Sequence, residues 1–368
     1  MPTATPQLPV LSYAEALNSP STFIPALRET LLTSGFFYLA DIQQAFPTWD
    51  ADLKAAFDVS RRFFEEVSVE EKEGMAMRES KHFRGWSGVG SERTKGVVDL
   101  REQIDLGPET PPHPSPAPIY LSLYGPNLYP PSQPSFATTI SAYRSHLEII
   151  ARVLLRLIGE SLTSSPELLT APFYSEDPTT PPYSRMKVVS YPPAPPPGEG
   201  GEEGALGVGA HADGGGLTLL AQDSTGGLQV QKWDTGEWID VTPLGRGELV
   251  LNIGQVIENL SADLYTSTTH RVLPVPSTSP RSRLSIPFFF SPVLTSSLTS
   301  IPISKLHPEL QAQALKEKEV KSEVKRGDLK EVVFGRAAWR GITRSHVEVW
   351  ERWYGAEKDP VGGPERKG

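Results

Sequence analysis

Cysteine is absent from the 368 residues. That excludes a disulfide scaffold, a thiolate zinc site, an iron–sulfur cluster and a cysteine nucleophile. No long basic run occurs and the formal charge is −9, so nothing points to a nucleic-acid partner. Long apolar runs are missing too. The longest lies near IPFFFSPVL, far short of the roughly 20 residues that span a bilayer. The opening MPTATPQLPVLSYAEAL has neither a basic n-region nor a continuous apolar core. A cytoplasmic protein without a secretory leader or membrane contact is therefore expected.

What is plentiful is turn chemistry. Thirty-six prolines and 31 glycines make 18% of the chain, against about 12% in average usage. Hydrophobic residues at 38% still suffice for a buried core, and a disordered chain is excluded. Residues 8–40 read as strand, helix, strand: LPVLSY, FIPALRETLLTSG ending at Gly35, and FFYLADI. A helix is expected over 49–75 and another over 136–162, where Leu147, Ile150, Leu154 and Leu157 recur at three- and four-residue spacing. Between them, residues 108–134 hold ten prolines, which reads as a surface loop.

At Arg185 the texture changes. From there to Pro292 the chain runs through short strand-like segments: RMKVVSY, GLTLLAQD, GLQVQKW, EWIDV, ELVLNIG, STTHRVLPV and RLSIPFFF. Turn signals such as Gly226-Gly227 separate them, which argues for an antiparallel double sheet of jelly-roll type. Residues 192–204 read as a Pro/Gly-rich loop and 316–331, with eleven charged residues in sixteen, as a solvated face. The expected organisation is one catalytic domain over 1–368. It comprises a mostly helical region at 1–180 with short strands, a jelly-roll core at 185–292 and a helical region at 293–368 that helps to cover it.

Most of the seven histidines have ordinary explanations; His211 and His270 do not. His211-Ala212-Asp213 is a His-x-Asp on a strand-like run, where positions i and i+2 face one way. His270 follows in another such run, and in a jelly roll strands that distant in sequence lie side by side. Two imidazoles and one carboxylate on one face of a metal leave positions open for a co-substrate and O₂, the arrangement of non-haem iron(II) sites. Thirteen residues beyond His270, Arg283-Leu284-Ser285 again places two side chains on one strand face. Arginine suits bidentate carboxylate binding, and a serine hydroxyl adds a further bond. An inward arginine in RLSIPFFF also needs an anionic partner.

These motifs, in the segment from HADGGGLTLLAQD to RLSIPFFFSP, resemble the catalytic core of the iron(II)/2-oxoglutarate-dependent dioxygenases. The likeness is to the branch that includes isopenicillin N synthase, the plant flavonoid and gibberellin oxygenases, and fungal biosynthetic enzymes. Weaker similarity reaches upstream through FRGWSGVGSERTKGVVDLREQIDLG. The resemblance implies that His211, Asp213 and His270 ligate Fe(II), and that Arg283, Ser285 and Tyr191 hold the distal carboxylate of 2-oxoglutarate. It implies O₂ as second co-substrate and hydroxylation, desaturation or ring closure of a small molecule, with release of succinate and CO₂. Val189 stands where the plant pattern has asparagine, so that contact is lost or supplied from elsewhere, with Lys187 the candidate.

The family places an N-terminal aromatic patch and a C-terminal helix over the open end of the barrel. Substrate contacts are accordingly expected from Phe83, Arg84 and Trp86, from Tyr124 and Tyr129, and from Phe288 and Phe290. An aromatic-rich pocket of that kind favours a hydrophobic, secondary-metabolite-like substrate. A monomer is expected, as is common in the family. The alternatives are an iron oxidase of the same fold that consumes no 2-oxoglutarate, a non-catalytic jelly-roll binding protein, and a zinc hydrolase.

Overall fold

The computed structural model describes residues 8–94, 96–113, 117–195, 204–322 and 333–355, with backbone alone for 318–322. Most of 192–204 and of 316–331 lies outside the described residues. The strands are β1 (Val10–Ser12), β2 (Phe36–Ala40), β3 (Gly85–Ser87), β4 (Arg93–Thr94), β5 (Val97–Val98), β6 (Glu102–Leu106) and β7 (Arg185–Tyr191). They continue with β8 (Val208–His211), β9 (Leu217–Gln222), β10 (Leu228–Gln231), β11 (Trp238–Asp240), β12 (Leu249–Ile253), β13 (His270–Val272) and β14 (Arg283–Phe290). The helices are α1 (Tyr13–Asn18), α2 (Pro20–Thr33), α3 (Trp49–Glu66), α4 (Val69–Gly74), α5 (Ser135–Leu162), α6 (Glu167–Thr170), α7 (Gln255–Leu260), α8 (Pro308–Ser322), α9 (Phe334–Ser345) and α10 (Val347–Trp353).

All seven strand-like runs between Arg185 and Pro292 contain strands, and the long helix over 136–162 is α5. The helix expected over 49–75 is two. Val67 turns extended, and Ser68 caps α4 by accepting a hydrogen bond from the Glu71 amide at 3.2 Å. LPVLSY yields only a three-residue strand because Ser12 caps α1 in the same way, from the Glu15 amide.

Two sheets result. The larger runs β1-β2-β12-β9-β14-β7-β6-β3 and the smaller β11-β10-β13-β8, the facing pair of a jelly roll. α3 and α5 cover the outer face of the larger sheet over β14 and β9. Parity then sorts every central strand. On β14, Ile286, Phe288 and Phe290 join the core under the helices, while Arg283 and Ser285 face the smaller sheet. On β7, Met186 and Val188 go to the helices, and Val189 and Tyr191 to the space between the sheets. A strand buried on both faces reads as a continuous apolar run, and the polar residues that interrupt it mark the inner face. No described helix is long and apolar enough to cross a membrane.

Phe288 is completely buried against the helical layer, whereas its neighbour Phe289 looks into the inter-sheet cavity. Phe288→Ala is expected to cost about 3–5 kcal/mol in urea unfolding, and Phe289→Ala distinctly less. Equal losses would contradict this assignment of faces.

Candidate metal centre and its cavity

The smaller sheet brings the histidines together. β8 and β13 are antiparallel with His211 directly opposite His270, and the two rings lie 4.3 Å apart between centroids. Asp213 follows two residues after the end of β8, and its Oδ1 is 3.8 Å from Nε2 of each histidine. One ligand atom from each of the three lies within 4.8 Å of the others.

Hydrogen bonds aim these groups. Nδ1 of His211 donates to the Gly209 carbonyl at 2.8 Å, and Nδ1 of His270 to the Thr268 carbonyl at 3.1 Å. A carbonyl only accepts, so each ring carries its proton on Nδ1 and turns the Nε2 lone pair inward. Asp213 Oδ2 accepts from Thr218 Oγ1 at 2.6 Å and Asn252 Nδ2 at 2.8 Å, leaving Oδ1 for the centre. Thr218 and Asn252 are partners across β9 and β12 on the inner face. Behind Asp213 the chain is held by the amides of Gln255 and Val256, which donate to the carbonyls of Asp213 and Gly215, and by Ser267 Oγ, which donates to the Asp213 carbonyl at 3.4 Å. Gly254 makes that approach possible, since a Cβ there would sit 2.3 Å from the Gly215 carbonyl oxygen.

Burial, then the neighbouring His270, pushes the His211 pKa down to about 4, so its ring is neutral at physiological pH. For Asp213 burial works the other way, but the two imidazoles and its two hydrogen bonds hold the carboxyl below its ordinary value. Two imidazoles and one carboxylate form the donor set suited to a divalent iron.

Arg283 lies on β14 opposite Tyr191, its guanidinium carbon 4.8 Å from the centre of the tyrosine ring. The side chain is 1% exposed. Nη2 donates to Gln222 Oε1 at 3.1 Å, while Nε and Nη1 are buried without a partner. Ser285 sits two residues along on the same face, opposite Gln222 and Val189. A buried cation with two unmet donors is costly unless an anion completes it. Tyr191 and Val208 connect this pole to a cavity of about 570 Å³ that also borders His211 and Asp213.

Comparison with known proteins agrees. Residues 182–292 match the 2OG-Fe(II) oxygenase superfamily and residues 8–132 the family described as "non-haem dioxygenase in morphine synthesis N-terminal". A 2-oxoglutarate-dependent dioxygenase, frbJ, of Dothideomycetidae sp. is 32% identical over 94% of this chain and 91% of its own. Another from Gibberella zeae is 35% identical over 72% of this chain and 68% of its own. The chain is an iron(II)/2-oxoglutarate-dependent dioxygenase. Among solved structures, a full-length Neurospora crassa protein in complex with alpha-KG superposes with a TM-score of 0.65 at 25% identity, over 80% of this chain and 88% of that one. A 2OG-Fe(II) oxygenase family protein from Caulobacter crescentus gives 0.65 at 25% identity, over 87% and 100%. The dioxygenase is thus an oxidoreductase that uses Fe(II), 2-oxoglutarate and O₂ on a small molecule.

The residues expected to touch substrate lie elsewhere. Phe288 and Phe290 occupy the wrong parity on β14; Pro287, Phe289 and Ser291 face the cavity of the dioxygenase instead. Phe83 is fully buried between Trp339 of α9 and Tyr354 beyond α10, and so anchors the C-terminal helices. Arg84 is fully buried too, donating to the Leu123 carbonyl at 2.9 Å, with its guanidinium 5.6 Å from the Tyr183 ring. Trp86 pairs with Ile104, packs toward the helical layer and donates to Glu102 at 3.1 Å. Tyr124 is core and Tyr129 half-buried against it. Lys187, the candidate to stand in for the family asparagine, lies four residues before Tyr191 on β7 and meets Glu92 at 3.3 Å and Asp105 at 3.6 Å.

The cavity wall is mixed: Tyr183, Tyr191, Phe289 and Phe334 give it aromatic surface, and charged residues cluster on one side. Glu92, Asp99, Arg101, Arg185 and Lys187 line one side, and α9 covers the other through small side chains at Ala337, Ala338, Gly341 and Ser345. The alternation was legible: Arg101, Gln103 and Asp105 on and beside β6, and Arg185 and Lys187 on β7, interrupt apolar runs at every second position. Thr218 and Asn252 carried no such signal.

Because Asn252 fixes one Asp213 oxygen, Asn252→Ala is expected to weaken divalent-metal binding about 10–100-fold in anaerobic Fe(II) titration. Unchanged affinity would mean that Asp213 needs no such support.

Proposed function

We propose that His211, Asp213 and His270 are the iron ligands of this dioxygenase, and that Arg283, Ser285 and Tyr191 hold the far carboxylate of 2-oxoglutarate. The observation that carries the assignment is the convergence of three inward-turned ligand atoms within 4.8 Å, in an inter-sheet space that also contains a buried arginine with two unmet donors. Iron(II) with 2-oxoglutarate and O₂ supplies the oxidising chemistry and releases succinate and CO₂. The protein's residues position and screen. The Gly209 and Thr268 carbonyls keep both imidazoles in one tautomer, Thr218 and Asn252 keep one Asp213 oxygen free, and Arg283 offers two N–H groups in a dry setting where charge-assisted bonds are strong. α9 lines one side of the cavity that borders the centre, where a bound substrate would displace water. One chain supplies every group of this site, which supports a single catalytic domain acting on a small organic molecule.

Asp213→Ala is expected to abolish Fe(II) binding with the fold intact by circular dichroism; a variant with normal iron content would remove Asp213 from the site. Arg283→Ala is expected to raise the 2-oxoglutarate requirement about 10–100-fold, the loss of a charged hydrogen-bonding partner. Succinate release should match substrate consumed in the wild type. Full turnover without succinate would identify an oxidase that uses no 2-oxoglutarate.

A further inference from the structure

A second charged cluster lies along the same sheet face as Arg283. On β7 the inward residues are Arg185, Lys187, Val189 and Tyr191. At about 3.3 Å per residue, Lys187 lies roughly 13 Å and Arg185 roughly 20 Å along the strand from Tyr191. That is farther than 2-oxoglutarate extends, so one molecule cannot engage both.

Counting donors against acceptors shows what this cluster lacks. Arg101, Arg185 and Lys187 face Glu92, Asp99 and Asp105, and His346 adds a further nitrogen 3.2 Å from Glu92. Every acid oxygen is already met. Asp105 accepts from Arg185 on one oxygen and from Gln103 at 2.7 Å on the other. Glu92 accepts from Gln103 at 2.7 Å and Lys187 at 3.3 Å on one oxygen, and from Arg101 on the other. Asp99 accepts from the Gly209 amide at 3.2 Å, and from Thr94 at 2.9 Å and Arg101 at 3.2 Å. Lys187 spends one of its three donors on Glu92 at 3.3 Å and lies 3.6 Å from Asp105, and the two guanidiniums keep more donors free. A guanidinium carries five N–H donors, and the bonds of Arg101 and Arg185 use Nη2 alone; their Nε atoms are buried out of a ligand's reach, so the spare donors of these two cavity-lining residues are on Nη1. Gln103 Oε1, an acceptor without a donor, is buried behind the cavity wall and does not line it.

An incoming cation would find no free oxygen here, and an apolar group would leave the donors unmet. A dianion would be repelled by three neighbouring carboxylates. We propose that Arg185 and Lys187, with Arg101 beside them, bind a carboxylate of the substrate, so that the dioxygenase oxidises small organic acids bearing one ionised carboxyl at this end. The inference rests on the metal-centre reading above, which places substrate in this cavity beside 2-oxoglutarate.

The test uses the full chain loaded anaerobically with Fe(II) and saturating 2-oxoglutarate, titrated with hexanoate, phenylacetate and norleucine and with the methyl ester of each. At least one acid is expected to bind about tenfold or more tighter than its ester. Arg185→Gln and Lys187→Gln are expected to erase that difference while 2-oxoglutarate affinity stays as in the wild type. Retained 2-oxoglutarate binding also shows that a variant is folded, and Lys187→Gln leaves Asp105 paired with Arg185 should Arg185→Gln fail to fold. Esters binding as well as acids, no acid binding at all, or discrimination surviving in a folded variant would each overturn the proposal. Failure of 2-oxoglutarate to bind the Fe(II)-loaded wild type would instead defeat the metal-centre reading, and this inference with it.

Discussion

The register between β8 and β13 sets His211 opposite His270, and the rest of the centre is arranged around that pairing. A shift of one residue would send one imidazole to the other face of the smaller sheet. The register is secured on the inner side by Val208, Val230 and Val272, which pack with Phe36 and Tyr38 of the larger sheet. Phe36 also meets the His270 ring edge-on at 5.2 Å. Packing and ligand placement thus share the same strands.

The space between the sheets is unusual for a core because it holds charge. Asp213 and Arg283 are both nearly inaccessible, and charges out of water are tolerated only where hydrogen bonds or counter-charges compensate. For Asp213 the compensation is internal, from Thr218, Asn252 and the two imidazoles. For Arg283 it is incomplete, and the same holds for Arg101 and Arg185 farther along the cavity. Local rules are broken at these sites and obeyed around them, which is how functional positions stand out in an otherwise consistent sequence. His346 extends the pattern. It lies buried just after α9, 3.2 Å from Glu92, and ties the covering helix to the charged wall.

Much of this was legible in the residues themselves. Period-two patterning located the β core, and the i, i+2 rule placed Arg283 with Ser285 on β14; Asp213 lies past the end of β8, beside His211 in the segment that follows the strand. The same rule, applied to RLSIPFFF, assigns Pro287 and Phe289 to the inner face and Phe288 and Phe290 to the helical layer. Aromatic content misled at HFRGW, because Phe83 and Trp86 support the site from behind and do not line it. Thr218 and Asn252 were out of reach, since their role depends on a cross-strand pairing between β9 and β12 that no local pattern encodes. The small-residue face of α9 was hidden for the same reason: small side chains mean close approach only once the neighbouring surface is known.

The most direct test is anomalous diffraction at the iron edge from anaerobic crystals grown with Fe(II) and 2-oxoglutarate. The account predicts a single strong peak bonded to Nε2 of both histidines and Oδ1 of Asp213, with the distal carboxylate of 2-oxoglutarate on the two free nitrogens of Arg283. A peak held by other side chains, or 2-oxoglutarate bound away from Arg283, would contradict it.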